Sequence, residues 1–288
     1  MPLRRRARRT GALLVALAAL GAAASCGGSD HRDGAEYAAL GDSVSAGAGI
    51  APVVDDGCLR SGRNFASLVA ERTHYSSFED VTCSGATTSN LLRPQLTSGA
   101  TNDPQLDAVG PRTRLVTLSI GLNDDQLTYA LLGACLAPSG QASSSCGQVL
   151  GASPQVVEST LTAAAGRVRD SLRLIRRSAP KARIVLVGYP RYLPDAGSCP
   201  DRYPILPAME APLRSAWQEV DQLWKAAAAS AGADYVDTYA LSEGHDLCSA
   251  DPWVNGTTDL PGKAAALHPF AAFHEAVADR IVQLLQKR

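Results

Sequence analysis

Residues 37–47 read Tyr-Ala-Ala-Leu-Gly-Asp-Ser-Val-Ser-Ala-Gly, an apolar run that ends in glycine and is followed by a serine among small residues. The apolar run predicts a short buried strand over residues 37–40, and Gly41 predicts the turn that ends it. Ser43 would then lie at the carboxyl end of a strand, where a substrate can approach closely. Because Gly-Asp-Ser after a strand is more often a turn with a helix cap, this stretch alone does not establish a catalytic serine.

Four further segments have the composition of short buried strands, and segments of helical period lie between them. This alternation indicates a parallel sheet covered on both faces, which is a three-layer α/β/α domain with a flavodoxin-like five-stranded sheet. A segment rich in serine and glycine, residues 133–153, predicts a long loop insertion. The further strands are expected at 78–82, 114–120, 183–188 and 234–237, and the long helices at 154–178, 208–229 and 271–285.

The third predicted strand ends much as the first one does. It runs into Gly121-Leu122-Asn123-Asp124, which places a glycine at the strand end and a polar amide just beyond it. In open parallel sheets, ligands bind outside the carboxyl ends of the strands, where the winding direction reverses. The first and third strands flank that point in the common strand order 2-1-3-4-5, so Ser43 and Asn123 are expected to face one pocket.

Four short blocks of the sequence resemble, in the same order, the signature blocks of the SGNH or GDSL hydrolases. They are Gly41-Asp42-Ser43, Cys83-Ser84-Gly85-Ala86-Thr87-Thr88, Gly121-Leu122-Asn123-Asp124 and Leu267-His268-Pro269, and they span nearly the whole mature chain. The resemblance implies that Ser43 is the nucleophile and His268 its general base. It also implies an oxyanion hole made of the backbone N–H groups of Ser43 and Gly85 and the side-chain amide of Asn123.

The chemistry implied by this resemblance is that of a secreted serine hydrolase, an esterase or lipase that cleaves carboxylic esters through an acyl-enzyme. The expected substrate is a small-molecule or lipid ester, and no metal or other cofactor is expected. Two alternatives stay open. One is an acetyl-polysaccharide deacetylase, and the other is a non-catalytic cell-surface binding module that has kept the fold.

One position departs from the family pattern. The family usually has an aspartate three residues before the histidine, and this chain has Ala265 there. Some secreted bacterial members lack the acid and orient the imidazole with a main-chain carbonyl at that position. We therefore predict that the Ala265 carbonyl orients His268, with the upstream acids Asp246, Asp251 and Asp259 as competitors for that role.

The N-terminus predicts export. Five arginines between residues 4 and 9 precede an uncharged apolar stretch over residues 11–24, so residues 1–25 are interpreted as a signal peptide. Cys26 follows in a context that resembles a bacterial lipobox, which predicts a lipidated linker over residues 26–35 and a hydrolase domain over residues 36–288. Ordinary cleavage within the alanine run, leaving Cys26 as a free thiol, is the alternative. The protein is accordingly expected at the cell surface as a lipoprotein or outside the cell.

The cysteine count fits an exported protein. The chain has seven cysteines, and reserving Cys26 for lipid leaves an even number that can pair completely. Many pairings are possible from the count alone. The resemblance to secreted members with three disulfides implies Cys58 with Cys83, Cys135 with Cys146, and Cys199 with Cys248. Zinc is not favoured as the reason for these cysteines, because the sequence contains no Cys-x-x-Cys pair.

The charge balance argues against nucleic acid as a partner. The 27 basic and 28 acidic residues give a formal net charge of −1, and the basic excess is confined to the N-terminal arginines. Contact with a membrane is expected only through an N-terminal lipid anchor, and the protein is expected to be a monomer.

Overall fold

Five parallel strands form the central sheet of the protein. The computed structural model describes residues 33–133, 136 and 154–287. All five strands predicted from the sequence are present, and their bounds differ from the predicted ones by no more than two residues. They are β1 (Tyr37–Gly41), β2 (Phe78–Asp80), β3 (Leu115–Ser119), β4 (Arg183–Val187) and β5 (Asp234–Val236).

The strand order is β2-β1-β3-β4-β5, and every neighbouring pair is parallel. The predicted flavodoxin-like order is therefore confirmed. Residues of β1 and β3 are buried along their whole length, which explains why both are largely apolar and show no alternation of buried apolar and exposed polar residues. Their register pairs Gly41 with Ser119, so the two strands end at the same level and their following loops begin side by side.

Helices cover the sheet to complete three layers. The long helices over Pro154–Ser178 and Pro207–Ser230 pack on each other, as do the helices over Phe65–Arg72 and Ala271–Gln286, and the buried residues of both pairs belong to one continuous apolar core. The sequence predicted the three longest helices to within one residue at each end. The helices are α1 (Ser43–Ala46), α2 (Phe65–Arg72), α3 (Pro154–Ser178), α4 (Pro207–Ser230), α5 (Thr238–Leu241) and α6 (Ala271–Gln286).

Shorter elements lie in the connections. Two small antiparallel hairpins pair Val53–Asp55 with Arg60–Ser61 and Gln95–Leu96 with Thr101–Asn102. A π-helix at Tyr129–Gly133 begins the segment predicted as a loop insertion, of which only residues 133 and 136 are described. The 3₁₀ turns are Thr88–Leu91, Gln105–Ala108 and Asp124–Gln126.

In the part of the chain that the structure describes, two disulfides join the connections. Cys58 pairs with Cys83 and Cys199 with Cys248, as the resemblance to secreted hydrolases implied. The third predicted pair, Cys135 with Cys146, lies outside the described residues, as does Cys26. Among the described residues, no helix is both long enough and apolar enough to cross a membrane.

Candidate active site

Ser43 begins α1 directly after β1. Gly41 ends the strand with φ 139°, and a Cβ atom at this position would lie 2.4 Å from the Ser119 carbonyl oxygen, so a larger residue does not fit. The carboxylate of Asp42 accepts a hydrogen bond from the Val44 N–H (3.0 Å) and caps the helix. This sharp turn from strand to helix presents the Ser43 hydroxyl at the carboxyl edge of the sheet.

A cleft of about 480 Å³ opens at that edge, and the four residues predicted to do the chemistry all line it. Ser43 comes from the end of β1, Gly85 from the loop after β2, Asn123 from the loop after β3, and His268 from the loop before α6. The rest of the lining is largely apolar and aromatic, and includes Val44, Leu122, Tyr129, Leu132, Tyr189, Tyr192 and Leu267.

The loop that carries Gly85 is fixed on both sides. The Cys58–Cys83 disulfide ties it to the loop after α1, and the Ser84 N–H donates to the Cys58 carbonyl (3.0 Å). Gly85 itself has φ 79°, a left-handed conformation that glycine adopts without steric cost. Within the described residues, neither the Gly85 nor the Ser43 backbone N–H donates a hydrogen bond, so both remain available to an oxygen in the cleft.

Asn123 is held in one orientation by two neighbours. Its Nδ2 donates to the Ala86 carbonyl (3.0 Å), and its Oδ1 accepts from the Thr128 hydroxyl (3.1 Å). A carbonyl can only accept, which fixes the nitrogen on the Ala86 side of the amide. Since the amide nitrogen carries two hydrogens, the second one is free to meet an oxygen in the cleft.

Asp124 joins the loops after β2 and β3, a role that the sequence analysis did not assign. Its carboxylate is almost fully buried and accepts from the Thr88 N–H (2.8 Å), the Thr88 hydroxyl (2.6 Å) and the Arg167 Nε (2.7 Å). Together with the bond from Asn123 to Ala86, these contacts set the distance between the two loops that carry the oxyanion candidates. The signal in the sequence was the acid that follows Asn123 within the same block.

His268 is oriented by a backbone carbonyl, but the prediction of Ala265 is wrong. The His268 Nδ1 lies 2.7 Å from the carbonyl oxygen of Ala266. The Ala265 carbonyl instead accepts from the His268 backbone N–H (3.2 Å) and from the Asn255 side chain (3.0 Å). The left-handed conformation of Leu267, with φ 59°, turns the chain so that the Ala266 carbonyl faces the ring.

The contact with Ala266 also fixes the tautomer of His268. A carbonyl cannot donate, so Nδ1 carries the hydrogen and Nε2 is left as the basic atom. Burial lowers the pKa of His268, while the Ala266 carbonyl and the negative charge of Asp259 act in the opposite direction. The imidazole is therefore held neutral at physiological pH, which is the form a general base requires.

None of the three competing acids hydrogen-bonds the imidazole of His268. Asp246 accepts from the Cys248 N–H (2.8 Å), Asp251 lies 3.5 Å from the His245 ring, and Asp259 accepts from the Ala266 N–H (2.7 Å). The Ser43 hydroxyl makes no hydrogen bond within the described part of the chain. Such contacts between a nucleophile and its base often tighten only when substrate binds.

Tyr189, which follows β4, supports the loop that carries Ser43. Its hydroxyl donates to the second carboxylate oxygen of Asp42 at 2.5 Å, and both groups are buried. Burial raises the pKa of Asp42 to about 7, although the hydrogen bonds from Tyr189 and Val44 favour the ionised form. Tyr189 was not predicted from the sequence, although it follows Gly188 just beyond the end of a strand, as Ser43 follows Gly41 and Asn123 follows Gly121.

The fold and the cleft place this protein in the class of α/β ester hydrolases, which bind substrate outside the carboxyl ends of parallel strands. The chain belongs to the GDSL-like Lipase/Acylhydrolase family, whose model matches residues 39–276. It is therefore a carboxylic ester hydrolase.

Several Streptomyces proteins are similar over most of their length. Lipase 2 of Streptomyces coelicolor is 34% identical over 265 residues, which is 87% of this chain and 85% of the relative. A lipase of Streptomyces rimosus is 31% identical over 275 residues, 94% of each chain. Among solved structures, phospholipase A1 from Streptomyces albidoflavus NA297 superposes with a TM-score of 0.68 at 29% identity, covering 87% of this chain and 99% of that one.

Proposed function

We propose that Ser43 is the nucleophile of ester hydrolysis and that His268 is its general base. The observation that carries this proposal is that both side chains line one cleft, with His268 held so that Nε2 is its basic atom. Nε2 accepts the hydroxyl proton as Ser43 Oγ bonds to the carbonyl carbon, and the imidazolium then protonates the leaving alcohol. Water attacks the acyl-enzyme by the same route, which releases the carboxylic acid and restores Ser43.

The negative charge on the carbonyl oxygen would be met by three donors. They are the backbone N–H groups of Ser43 and Gly85 and the free hydrogen of the Asn123 amide. Each preorganised donor of this kind contributes about 3 kcal/mol to transition-state stabilisation in serine hydrolases. The ties from Asn123 to Ala86 and from Asp124 to Thr88 support this assignment, because they hold the donors in place before the charge develops.

The substitution Ser43→Ala tests the nucleophile. We expect it to lower kcat for a p-nitrophenyl ester by roughly 10⁴-fold or more and to abolish labelling by a fluorophosphonate probe. Ser45→Ala is the matched control, because Ser45 lies two residues away on the same short helix and does not line the cleft. Full activity of Ser43→Ala would refute the mechanism, and loss of activity on adding EDTA would point to a metal.

We further propose that the substrates are acyl lipids or other esters outside the cytoplasm. The apolar and aromatic lining of the cleft suits an acyl chain, and the similarity to the Streptomyces lipases and phospholipase A1 supports the same class. A series of p-nitrophenyl esters of increasing chain length, run beside acetylated glycans, separates this function from the deacetylase alternative. A protein that shows no burst with any activated ester would be a binding module.

Export and lipidation of Cys26 complete the proposal. The N-terminal arginines, the apolar stretch and the position of Cys26 support a signal peptide over residues 1–25, and the extracellular lipase of S. rimosus supports export. The mature protein is then expected to be a monomer that partitions into detergent and carries a lipidated residue 26. Intact-mass analysis that finds an unmodified N-terminus upstream of Cys26 would reject the anchor.

A further inference from the structure

Residues 254–259 lie alongside the loop that carries His268. Val254 pairs with Pro269 in an antiparallel bridge, and the Asn255 N–H donates to the His268 carbonyl (2.9 Å). The Leu267 N–H donates back to the Gly256 carbonyl (2.8 Å). The backbone on both sides of the imidazole is therefore fixed to the same neighbouring segment.

The side chains of Asn255 and Asp259 hold one particular peptide unit, the one between residues 265 and 266. Asn255 Nδ2 donates to the carbonyl oxygen of that unit (3.0 Å), and Asp259 Oδ1 accepts from its N–H (2.7 Å). The next peptide unit carries the carbonyl that contacts His268 Nδ1, and its own N–H is bound to Gly256. Two consecutive peptide planes are thus held at both edges, which fixes the direction of the Ala266 carbonyl.

This loop needs such support because of Leu267. A residue other than glycine in the left-handed conformation costs about 1–2 kcal/mol. The backbone at Leu267 would therefore lower its energy by leaving this conformation unless neighbouring hydrogen bonds prevented it. Relaxation at Leu267 would rotate the Ala266 carbonyl away from the imidazole. Asn255 is buried, and the same Nδ2 also lies within hydrogen-bond distance of the carbonyls of Thr258 (2.8 Å) and Ala264 (3.3 Å).

We propose that Asn255 and Asp259 are positioning residues that together take the place of the missing triad acid. They act on His268 through the backbone, by holding the peptide that presents the Ala266 carbonyl, and Asp259 also supplies a negative charge near the imidazole. The catalytic consequence rests on the function proposed above for His268. The orientation of the ring does not depend on that function.

The charge and the hydrogen bond of Asp259 can be separated by two substitutions. Asp259→Asn keeps an oxygen acceptor for the Ala266 N–H and removes the charge, whereas Asp259→Ala removes both. We expect Asp259→Asn to retain kcat within roughly tenfold, and we expect Asp259→Ala to lose about ten- to a hundredfold in kcat with little change in KM. Asp251→Ala is the matched control, since Asp251 contacts His245 and not the His268 loop.

The pH profile gives a second readout that a merely structural role would not move. Among the described residues, the ionisable groups near His268 are Asp259, whose charge acts on the imidazole, and His274 of α6, which interacts with it electrostatically. The ionisable groups that line the same cleft are Asp42, Tyr129, Tyr189 and Tyr192. Removing the Asp259 charge should lower the pKa of His268, because that charge favours the imidazolium. The acid limb of kcat/KM in Asp259→Asn should therefore move to lower pH, while Asp251→Ala leaves it in place.

Nitrogen-15 NMR of the full-length protein tests the orientation without relying on activity. We expect His268 to carry its hydrogen on Nδ1 in the parent and in Asp259→Asn, and to show a mixture of tautomers in Asp259→Ala and Asn255→Ala. Unchanged kcat and an unchanged Nδ1 tautomer in Asp259→Ala would overturn the proposal.

If circular dichroism shows that Asn255→Ala does not fold, the two Asp259 variants still test whether the supporting segment positions His268. If His268→Ala keeps esterase activity, the proposed function fails, and the NMR result still reports on the positioning.

Discussion

The carbonyl that orients His268 differs from a carboxylate in one physical respect. Both accept the Nδ1 hydrogen and select the same tautomer, but a carbonyl brings only a partial charge to the imidazolium that the proposed mechanism would form. The burial of His268 is therefore less fully compensated, and its pKa lies below the ordinary value. A base with a lowered pKa stays neutral at more acidic pH.

This gives a prediction for the pH dependence of the esterase. With His268 as the proposed general base, activity requires its neutral form, so kcat/KM should fall as pH drops through a pKa below 6.5, the ordinary value for histidine. A profile measured from pH 4.5 to 8.5 checks this. Asp42→Asn is the control, because the Asp42 pKa near 7 could add a second limb, and asparagine still caps the helix. An acid limb above 6.5 that persists in Asp42→Asn contradicts the prediction.

The residues of the site could be predicted where a motif and a strand end coincide. Ser43 and Asn123 follow buried strands whose parallel order determines where they meet. Ala266 could not be predicted, because the left-handed turn at Leu267 involves no glycine and leaves no mark in the sequence. The hydrogen bond from the Ala266 N–H to Asp259 could not be predicted either, because a single exposed acid in a loop belongs to no periodic sequence pattern.

At the scale of elements, too, some features were predictable from the sequence and others were not. The three central strands β1, β3 and β4 were predictable because each is a largely apolar run bounded by polar or turn residues, whereas the edge strands β2 and β5 are shorter and more polar and gave a weaker signal. The hairpins of Val53–Asp55 with Arg60–Ser61 and Gln95–Leu96 with Thr101–Asn102 were not predicted, because their strands are two or three residues long and mostly polar, and show neither a buried apolar run nor alternation. The π-helix at Tyr129–Gly133 was missed because it has no sequence signal separate from that of an α-helix.

Two connections owe their relative position to Asp124, which leads to a second prediction. Asp124→Ala removes the acceptor for the Thr88 N–H and hydroxyl and for Arg167. The loops that carry Gly85 and Asn123, the proposed oxyanion donors, can then separate, and we expect this to weaken binding of a tetrahedral oxyanion more than binding of the ester. We expect the affinity for a boronic acid inhibitor to fall about ten- to a hundredfold, with KM changed less than threefold.

Asp125→Ala is the matched control for this prediction. Asp125 is the neighbouring acid and is exposed, and among the described residues it pairs only with Arg167 (2.6 Å). Its removal should leave inhibitor affinity within a factor of about two, because exposed ion pairs contribute little. Equal inhibitor affinity in Asp124→Ala and the parent would show that the loops keep their positions without this contact.

At the scale of the whole molecule, α6 closes the fold against α2. The two helices pack along their length, and His274 of α6 accepts a hydrogen bond at Nδ1 from the Phe65 N–H at the start of α2 (3.1 Å). His274 lies against the rings of Phe65 and Phe273 and is fully buried. This contact joins positions that are 209 residues apart, so its strength depends on the complete domain being folded.

The burial of His274 makes the stability of the molecule depend on pH. Burial lowers its pKa to about 3, and nearby His268 acts in the same direction. The unfolded chain binds a proton near pH 6.5 and the folded chain does not, so stability is lost as pH falls below 6.5, by about 1.4 kcal/mol per unit. From pH 7.5 to 4.5, protonation linked to this residue alone should lower the free energy of unfolding by about 3 kcal/mol. Urea unfolding with the disulfides intact measures this loss.

His274→Asn keeps an oxygen for the Phe65 N–H and cannot be protonated, so it should lose less stability than the parent over this interval. His74→Asn changes an exposed histidine and should follow the parent, and equal losses in all three proteins would show that His274 is not protonated on unfolding.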